Sequence, residues 1–252
     1  MAQQEKEIAN GKDQKILQRN IEEIDKKVEE IQQMELAEKD QIVASKSFIY
    51  VIDDSRNLKT KKILKGKKNI KYIHRTNKSG RGSAVIDGLK IATKKKNITT
   101  FIEMDADFAH NPKEILRNLK FFKDKKLDLL IASRYMKKSK IINWSINRKI
   151  FSRLSNILSK FLLRIKVTDY TNGFRFYSKR SVKKIIKDCG KIGDGFIVLS
   201  EILMVINSNN FKIGEIESVF VNRNRGESTV NLKLVIYSFL GLLKLFLIKM
   251  KL

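Results

Sequence analysis

Two carboxylates one residue apart are the feature of this sequence most able to do chemistry. Asp105 and Asp107 follow the apolar run 100–104, which predicts a strand that ends at the pair. Alternate side chains of a strand point to the same face, so both carboxylates can reach one ligand. Their oxygens are hard ligands of the kind that divalent cations prefer. The sequence therefore predicts a cation site at this pair.

A second acidic pair, Asp53 and Asp54, follows another apolar run, 48–52. Open α/β sheets bind ligands beyond the carboxyl ends of their strands, so we expect the two acidic pairs to share one crevice. The alternative is that Asp53 and Asp54 only cap the following helix. Two acids directly after a buried strand favour a site, and the two pairs together indicate a nucleotide and metal site.

The elements that position these pairs alternate between strand and helix. Apolar, β-branched runs predict strands, and amphipathic runs between them predict helices. The predicted strands are 48–52, 70–73, 99–104 and 127–132, and the predicted helices are 83–93 and 112–123. This order is typical of an α/β fold with a mixed, mostly parallel sheet flanked by helices.

Charge narrows the class of partner. The chain has 53 Lys and Arg residues against 27 acidic residues, a net charge of +26. Residues 1–45 hold 7 basic and 11 acidic residues, so residues 46–252 carry about +30. This surplus favours an anionic membrane, a phosphorylated substrate or nucleic acid, although a solvated lysine-rich surface is the plainer alternative. No nucleic-acid-binding module is recognisable, so we expect no nucleic acid partner.

Cysteine and histidine are too scarce for several classes of site. The single cysteine, Cys189, excludes an internal disulfide and a cysteine-rich metal centre. With His74 and His110 as the two histidines, a histidine-based zinc centre is disfavoured. His110 is expected to be a loop or capping residue. The polar N-terminus is not expected to be a secretory signal.

The two ends of the chain have helical patterns. Apolar residues spaced by three and four within 16–34 predict an amphipathic helix, which either lies on its own domain, the favoured interpretation, or binds a helical partner. Residues 232–252 are apolar but interrupted by lysines, which favours an interfacial helix over a membrane span; a packed core helix is the alternative. We therefore predict a helical N-terminal extension at 1–45, an α/β domain at 46–231 and a membrane-associating helix at 232–252.

Eight short blocks occur in order along the chain. They lie at 52–55, 74–88, 104–112, 132–135, 143–149, 152–156, 169–175 and 220–228. Together they resemble the dolichol-phosphate mannosyltransferase group of the family 2 glycosyltransferases, over roughly residues 48–250. One acidic pair would be a weak signal, because such pairs arise by chance, whereas eight ordered blocks are specific.

The resemblance implies a GT-A fold that transfers a hexose from a nucleotide sugar to polyprenyl or dolichyl phosphate, with inversion. Mannose and GDP-mannose are the expected sugar and donor. Asp105 and Asp107 would hold a divalent metal, Mg²⁺ or Mn²⁺, against the donor diphosphate, and Asp107 would be catalytic. The metal would neutralise the charge that develops on the leaving group. Asp53 would face the nucleotide, with Asp54 close by.

On the acceptor side, the resemblance places Arg134, Arg148 and Ser152 around the lipid phosphate. Arginine suits this role because its planar group pairs with two phosphate oxygens. Arg223 would lie on a loop that closes over the reactants. The basic, amphipathic segment 149–166 suits a membrane surface, so we expect a peripheral protein on the cytoplasmic face of a membrane.

The chain departs from the family pattern at its start. Family members have an apolar strand with a Pro-x-x-Asn-Glu motif before the first Asp-Asp pair, and residues 1–45 contain no such run. That strand lies between the strands that end at Asp54 and Asp105, so its absence would leave both without a shared neighbour. Ala109 also replaces a glutamine ligand of some relatives. A second hypothesis is therefore a catalytically impaired relative that binds a membrane or a partner.

Overall fold

The structure is a computed structural model of the 252-residue chain. It describes residues 18–19, 21–23, 25–27, 47–55, 59–67, 70–76, 80–107, 109–193, 195, 197–222 and 232–250. Within these residues there are eight strands and seven α-helices with defined bounds, and residues 18–19, 21–23 and 25–27 are also helical.

The strands are β1 (Ile49–Asp53), β2 (Ile70–His74), β3 (Thr100–Glu103), β4 (Leu129–Ser133), β5 (Lys140–Ile142), β6 (Arg175–Ser178), β7 (Ile213–Glu217) and β8 (Val219–Val221). The helices are α1 (Lys59–Leu64), α2 (Arg81–Ala92), α3 (Ile115–Asp124), α4 (Ile146–Leu163), α5 (Lys179–Asp188), α6 (Ile197–Ser208) and α7 (Leu232–Lys249), and a 3₁₀ turn at Pro112–Glu114 leads into α3. All four strands and both helices predicted between residues 48 and 132 are present, with bounds that differ by a few residues.

The strands form three sheets. The first pairs β1 with β2 in parallel, and the third pairs β5 with β8 in parallel. The main sheet has the order β3-β6-β4-β7, in which β6 is antiparallel to both β3 and β4 while β4 and β7 are parallel. The predicted mixed α/β architecture with flanking helices is therefore confirmed.

The core is built around β4. Leu129, Leu130, Ile131 and Ala132 are all 0% exposed, because β4 has a neighbouring strand on each side and helices over both faces. Leu129 and Ile131 join a cluster with α5 and α6, whereas Leu130 and Ala132 join a second cluster with α3. A strand buried on both faces is expected to be apolar throughout, as this one is.

The sheet is interrupted between β1 and β3. Among the described residues, no strand pairs with β1 except β2, and none pairs with β3 except β6. Both strands nevertheless contact the same helix, α2. This arrangement agrees with the expectation that the two strands lack a shared neighbour.

The terminal helices pack on this domain where they are described. Ile21 is buried, and Oε1 of Glu23 lies 3.6 Å from Nζ of Lys113. The other apolar residues of the helix predicted within 16–34 lie outside the described residues. In α7, Leu242 and Leu245 are buried in the main cluster. Within the described part of the chain, no helix combines the length and apolarity that a bilayer crossing needs.

Candidate active site

One groove of about 2130 Å³ collects the predicted site residues. It is lined by Asp53 and Asp54 at the end of β1 and by Asp105 and Asp107 after β3. The carboxyl ends of β1 and β3 thus meet at one place, as expected for an α/β fold. The predicted acceptor residues Arg134, Arg148 and Ser152 line the same groove, and Arg223 lies outside the described residues.

Asp53 is fixed by two hydrogen bonds. Its Oδ1 accepts from the main-chain N–H of Ser55 at 2.8 Å, and its Oδ2 accepts from the hydroxyl of Tyr72 at 2.9 Å. Burial by itself would raise the pKa of Asp53, but the hydrogen bonds from Ser55 and Tyr72 lower it. Burial and the Asp53 charge raise the pKa of Tyr72 to about 12. Asp53 is therefore a carboxylate held in one orientation at the rim of the groove.

Asp54 is an anchor for the neighbouring loop. The Nη1 nitrogen of Arg75 donates to Oδ1 of Asp54 at 2.9 Å and to Oδ2 at 3.1 Å. The same guanidinium donates to the hydroxyl of Ser83 at 2.7 Å and lies 3.3 Å from the Asp87 carboxylate. Arg75, which follows β2, thus connects the end of β1 to the first turns of α2.

Asp105 is bound by an arginine that the sequence predictions did not assign. Arg81 donates to Oδ1 of Asp105 from Nε at 3.2 Å and from Nη2 at 3.0 Å. The same Nη2 forms an ion pair with Glu103 Oε1 at 3.0 Å. A Cβ atom at Gly173 would lie 1.7 Å from this Nη2, so the absence of a side chain at Gly173 makes room for the guanidinium.

The environment keeps Asp105 charged. Burial by itself would raise its pKa, but the charge and hydrogen bond of Arg81, together with the charge of Arg134, outweigh burial and lower it. The Nδ1 nitrogen of His110 accepts the main-chain N–H of Asp105 at 2.9 Å, and its Nε2 lies 2.9 Å from Oδ1 of Asn172. The two ring nitrogens of this buried histidine therefore connect the turn after β3 to Asn172.

The carboxylates suit a small divalent cation. Oδ1 of Asp107 accepts the main-chain N–H of Ala109 at 3.1 Å, which shapes the turn after β3. Oδ2 of Asp105 accepts no hydrogen bond from another described residue, and its side chain is 39% exposed. No cluster of three or more acidic, histidine or cysteine side chains occurs in the described ranges. Mg²⁺ commonly takes one or two carboxylates and completes its shell with water and phosphate, which fits this donor set.

Arg134 forms a buried ion pair beside the groove. It follows β4 and donates to Asp169 from Nε and from Nη2, both at 2.7 Å, which is a bidentate geometry. Burial by itself would raise the pKa of Asp169, but the charge and hydrogen bonds of Arg134 lower it. No hydrogen bond within the described ranges uses Nη1 of Arg134. The pair therefore presents a fixed cationic edge to the groove.

Arg148 and Ser152 project from α4. The guanidinium of Arg148 stacks on Trp144 with 4.2 Å to the ring centroid, and its Nη1 donates to Oδ1 of Asn222 at 2.7 Å. The hydroxyl of Ser152 accepts from Tyr135 at 2.6 Å. Ser145 caps the helix by accepting the main-chain N–H of Arg148. The N-terminal turns of α4 thus present a cation and a hydroxyl to the groove that Arg134 also lines.

Of the site residues that the sequence did not assign, Arg81 has a local signal and Asp169 has none. Arg81 is the first residue of α2, where the helix dipole disfavours a cation, so an arginine there implies a local anion. Asp169 stands in one of the eight blocks, but its ion pair with Arg134 joins positions 35 residues apart and has no local pattern.

Fold and groove together define an α/β domain whose charged side chains gather at the carboxyl ends of its strands. The family model "Glycosyl transferase family 2" matches residues 41–186, which is more than half of the chain. The protein therefore belongs to glycosyltransferase family 2, and its mixed α/β architecture agrees with the GT-A fold.

Two curated relatives are similar to about 65% of this chain. A polyprenol monophosphomannose synthase of Mycolicibacterium smegmatis is 31% identical over 163 residues, 64% of this chain and 60% of that protein. An undecaprenyl-phosphate mannosyltransferase of Micrococcus luteus is 30% identical over 166 residues, 65% of each chain. The chain thus spans less than two thirds of the length of either relative.

Proposed function

We propose that this chain transfers mannose from a nucleotide sugar, with GDP-mannose as the expected donor, to a polyprenyl phosphate. The observation that carries the proposal is that one groove is lined both by carboxylates that follow β1 and β3 and by Arg134, Arg148 and Ser152. The names of the two relatives support the sugar and the class of acceptor.

The acidic side of the groove suits the donor. Asp53 would orient the nucleotide through its fixed carboxylate, while Asp105 and Asp107 would hold Mg²⁺ or Mn²⁺ together with the donor diphosphate. A bound metal would neutralise negative charge on the departing nucleoside diphosphate. Because Arg81 holds Oδ1 of Asp105 from the side of α2, it fixes the direction in which Oδ2 points.

The basic side suits the acceptor phosphate. Arg148 and Nη1 of Arg134 would bind the phosphate oxygens, and Ser152 would add a hydrogen bond, so that one oxygen faces the sugar. That oxygen would form a bond to the anomeric carbon as the bond to the diphosphate breaks on the opposite face, which inverts the carbon. The acceptor is already an anion, so the step needs positioning more than it needs a general base.

The surface next to this site suits a lipid. One face of α4 is apolar and exposed, with Ile157 63% and Phe161 72% accessible. The residues of this face are exposed, apolar and three or four positions apart. They are Ile146, Ile150, Leu154, Ile157 and Phe161. Basic residues flank it, which favours a peripheral helix at an anionic membrane surface. Binding at the cytoplasmic face remains a prediction.

The transfer of labelled mannose from GDP-mannose to undecaprenyl phosphate tests the proposal. We expect activity that requires Mg²⁺ or Mn²⁺, and we expect Asp107→Asn to lower kcat/KM by about 100-fold or more, since it removes a charge that acts on the leaving group. The matched control is Asp124→Asn, which makes the same change at an exposed position at the end of α3. Undiminished transfer by the Asp107 variant would contradict the proposed metal-dependent mechanism.

Calorimetry with GDP-mannose separates this function from the non-catalytic alternative. Binding that needs metal and is weakened by Asp105→Asn supports the transferase. No binding of GDP-mannose or UDP-glucose in the presence of metal would favour a protein that only binds membranes or partners.

Binding to anionic vesicles tests the lipid-facing surface. We expect Ile157→Gln together with Phe161→Gln to reduce binding, because these side chains would enter the acyl boundary. The control is Lys125→Gln, an exposed substitution after α3 and outside this face. Equal binding by all three proteins would contradict the assignment of this face.

A further inference from the structure

The main-chain groups of β1 divide between its two edges. The carbonyl of Asp53 accepts the N–H of Arg75 at 2.9 Å, and both groups of a residue in a parallel strand point to the same side. Ile49, Val51 and Asp53 therefore pair with β2. The N–H and C=O groups of Tyr50 and Ile52 point the other way.

The same division holds for β3. The carbonyl of Thr99 accepts the N–H of Lys179 at 3.1 Å, so alternate residues from Thr99 onwards pair with β6. The N–H and C=O groups of Thr100 and Ile102 therefore point away from β6. Tyr50, Ile52, Thr100 and Ile102 all line the groove described above, and in the described part of the chain neither edge has a partner strand.

The groove between these edges is apolar on both faces. On one side lie Ala84, Gly88 and Ala92, which follow each other at intervals of four along α2. On the other side lie Ile115 and Leu119 of α3. Small residues on a helix allow a close approach of main chain, so the space suits a thin, extended ligand more than a helix.

We propose that this groove receives one β-strand of a second polypeptide, inserted between β1 and β3. Four residues face the groove with two main-chain groups each, so an inserted strand gains hydrogen bonds on both of its sides. A helix uses its main-chain groups internally and a lipid chain has none, so neither could satisfy these edges.

The surroundings define the chemistry of the inserted strand. Because apolar side chains line both faces, the strand is expected to be apolar at successive positions and rich in Val and Ile, not alternating. It is expected to be about five residues long to match β1. This inference concerns a binding surface and does not depend on transferase activity.

The exposure of the groove side chains supports this occupant. Ile102 in β3 is 38% exposed and Phe48 before β1 is 39% exposed, although both lie beside strands in an α/β domain. An unpaired, apolar strand edge is a template for pairing with another chain. The inserted strand would cover both side chains and both edges together.

Hydrogen exchange of the full 252-residue protein tests the proposal with a synthetic peptide, Lys-Ser-Val-Ile-Val-Ile-Val-Ser-Lys, blocked at both ends. We expect exchange at the amides of Tyr50, Ile52, Thr100 and Ile102 to slow by at least about tenfold when the peptide binds, because these N–H groups become paired. The control peptide has the same side chains but methylated central amide nitrogens. It keeps the apolar surface, lacks the main-chain donors and is expected not to bind.

A matched pair of variants tests the same edge from the protein side. Ile102→Pro removes the N–H that faces the groove while the residues that pair with β6 keep theirs, so peptide binding should be lost. Ile102→Val keeps the N–H and should bind the peptide. Circular dichroism checks that both variants fold. If the proline variant does not fold, hydrogen exchange of the wild-type protein with the peptide still tests the proposal.

Three results would overturn the proposal. The first is unchanged exchange at the four amides with the unmodified peptide. The second is equal binding of the methylated peptide, which would show an apolar contact without strand pairing. The third is protection of the four amides in the protein alone to the level of β4, which would show that the chain fills the groove itself.

Discussion

β4 and β1 both lead to the same groove, but they are built differently. β4 is hydrogen-bonded to β6 and β7, and its residues from Leu129 to Ala132 are 0% exposed. β1 has only β2 beside it in the described part of the chain, and Ile49 to Ile52 are all partly exposed although their sequence is just as apolar. Burial on both faces thus requires a partner on both edges as well as apolar residues.

The ion pairs differ in the same way. Arg134 and Asp169, at the end of β4, have side chains only 7% and 0% exposed. Arg75 and Asp54, at the end of β1, are 10% and 20% exposed. The Arg134 pair is therefore built into a closed core, whereas the Asp54 pair rests on a strand that has one unpaired edge within the described part of the chain.

The largest difference is expected for loss of one carboxylate charge. Asp169→Asn leaves the buried Arg134 charge without its partner, which should lower the free energy of unfolding by about 3–5 kcal/mol. Asp54→Asn removes a partly solvated charge and should cost about 1 kcal/mol or less. Urea unfolding measures both.

A double variant tests whether the unpaired charge of Arg134 causes the loss of stability in Asp169→Asn. If Asp169→Asn is destabilising because Arg134 is left charged and buried, then Arg134→Met in the same protein should restore part of the lost stability. An Asp54 variant as unstable as the Asp169 variant would show that the two sides of the groove are equally closed.

Truncation of one isoleucine in each strand is expected to give the next largest difference. Ile131→Ala in β4 should cost about 2–5 kcal/mol, because it leaves a cavity in a site that is 0% exposed. Ile52→Ala in β1 should cost about half as much, because Ile52 already contacts solvent. Equal costs in urea unfolding would contradict the comparison, and a larger cost of Ile52→Ala with the inserted peptide bound would sharpen it.

Acidification is expected to have a smaller effect, through charge alone. The folded-state pKa of Asp169 is lowered, despite its burial, by the charge and hydrogen bonds of Arg134. A carboxyl group with a depressed folded pKa contributes stability that is complete above its unfolded pKa, about 3.9 for aspartate, and is lost as pH falls further. When thermal unfolding is measured from pH 6 to pH 2, the Tm of Asp169→Asn should therefore fall less steeply below pH 4 than the Tm of the wild type. Parallel curves would show that another group controls acid stability.

The sequence predicts best where a strand ends in a charged residue. The runs before Asp53 and Asp105 combine apolar residues with an acidic end, and both strands lie within two residues of their predicted bounds. The strand β6, Arg175–Ser178, was not predicted, because it is short and begins with a charged residue. Its buried Arg175 is satisfied by three main-chain carbonyls, which only the folded chain brings together.

The site was predictable to the same extent. Residue types and spacing placed Asp53 and Asp105 in one crevice, the family resemblance added Arg134, and the structure brings all three to one groove. The partners of these residues were not predictable, because Arg81 and Asp169 act over separations of 24 and 35 positions. Those partners determine which oxygens and nitrogens face the groove.

The smallest effect on stability is expected where the two sides of the groove meet. Arg81 reaches from α2 to Asp105, and it fits only because Gly173, before β6, has no side chain. Gly173→Ala should displace the flexible end of Arg81 and cost about 1 kcal/mol or less, since a guanidinium can move aside. The pKa of Asp105 should rise, because the charge of Arg81 is the main effect that lowers it against burial. Carboxyl NMR titration measures this rise. In an Arg81→Gln background the same substitution should leave the titration of Asp105 unchanged, because there is no guanidinium left to displace. A further rise in that background would mean that Gly173 acts on Asp105 by some route other than Arg81.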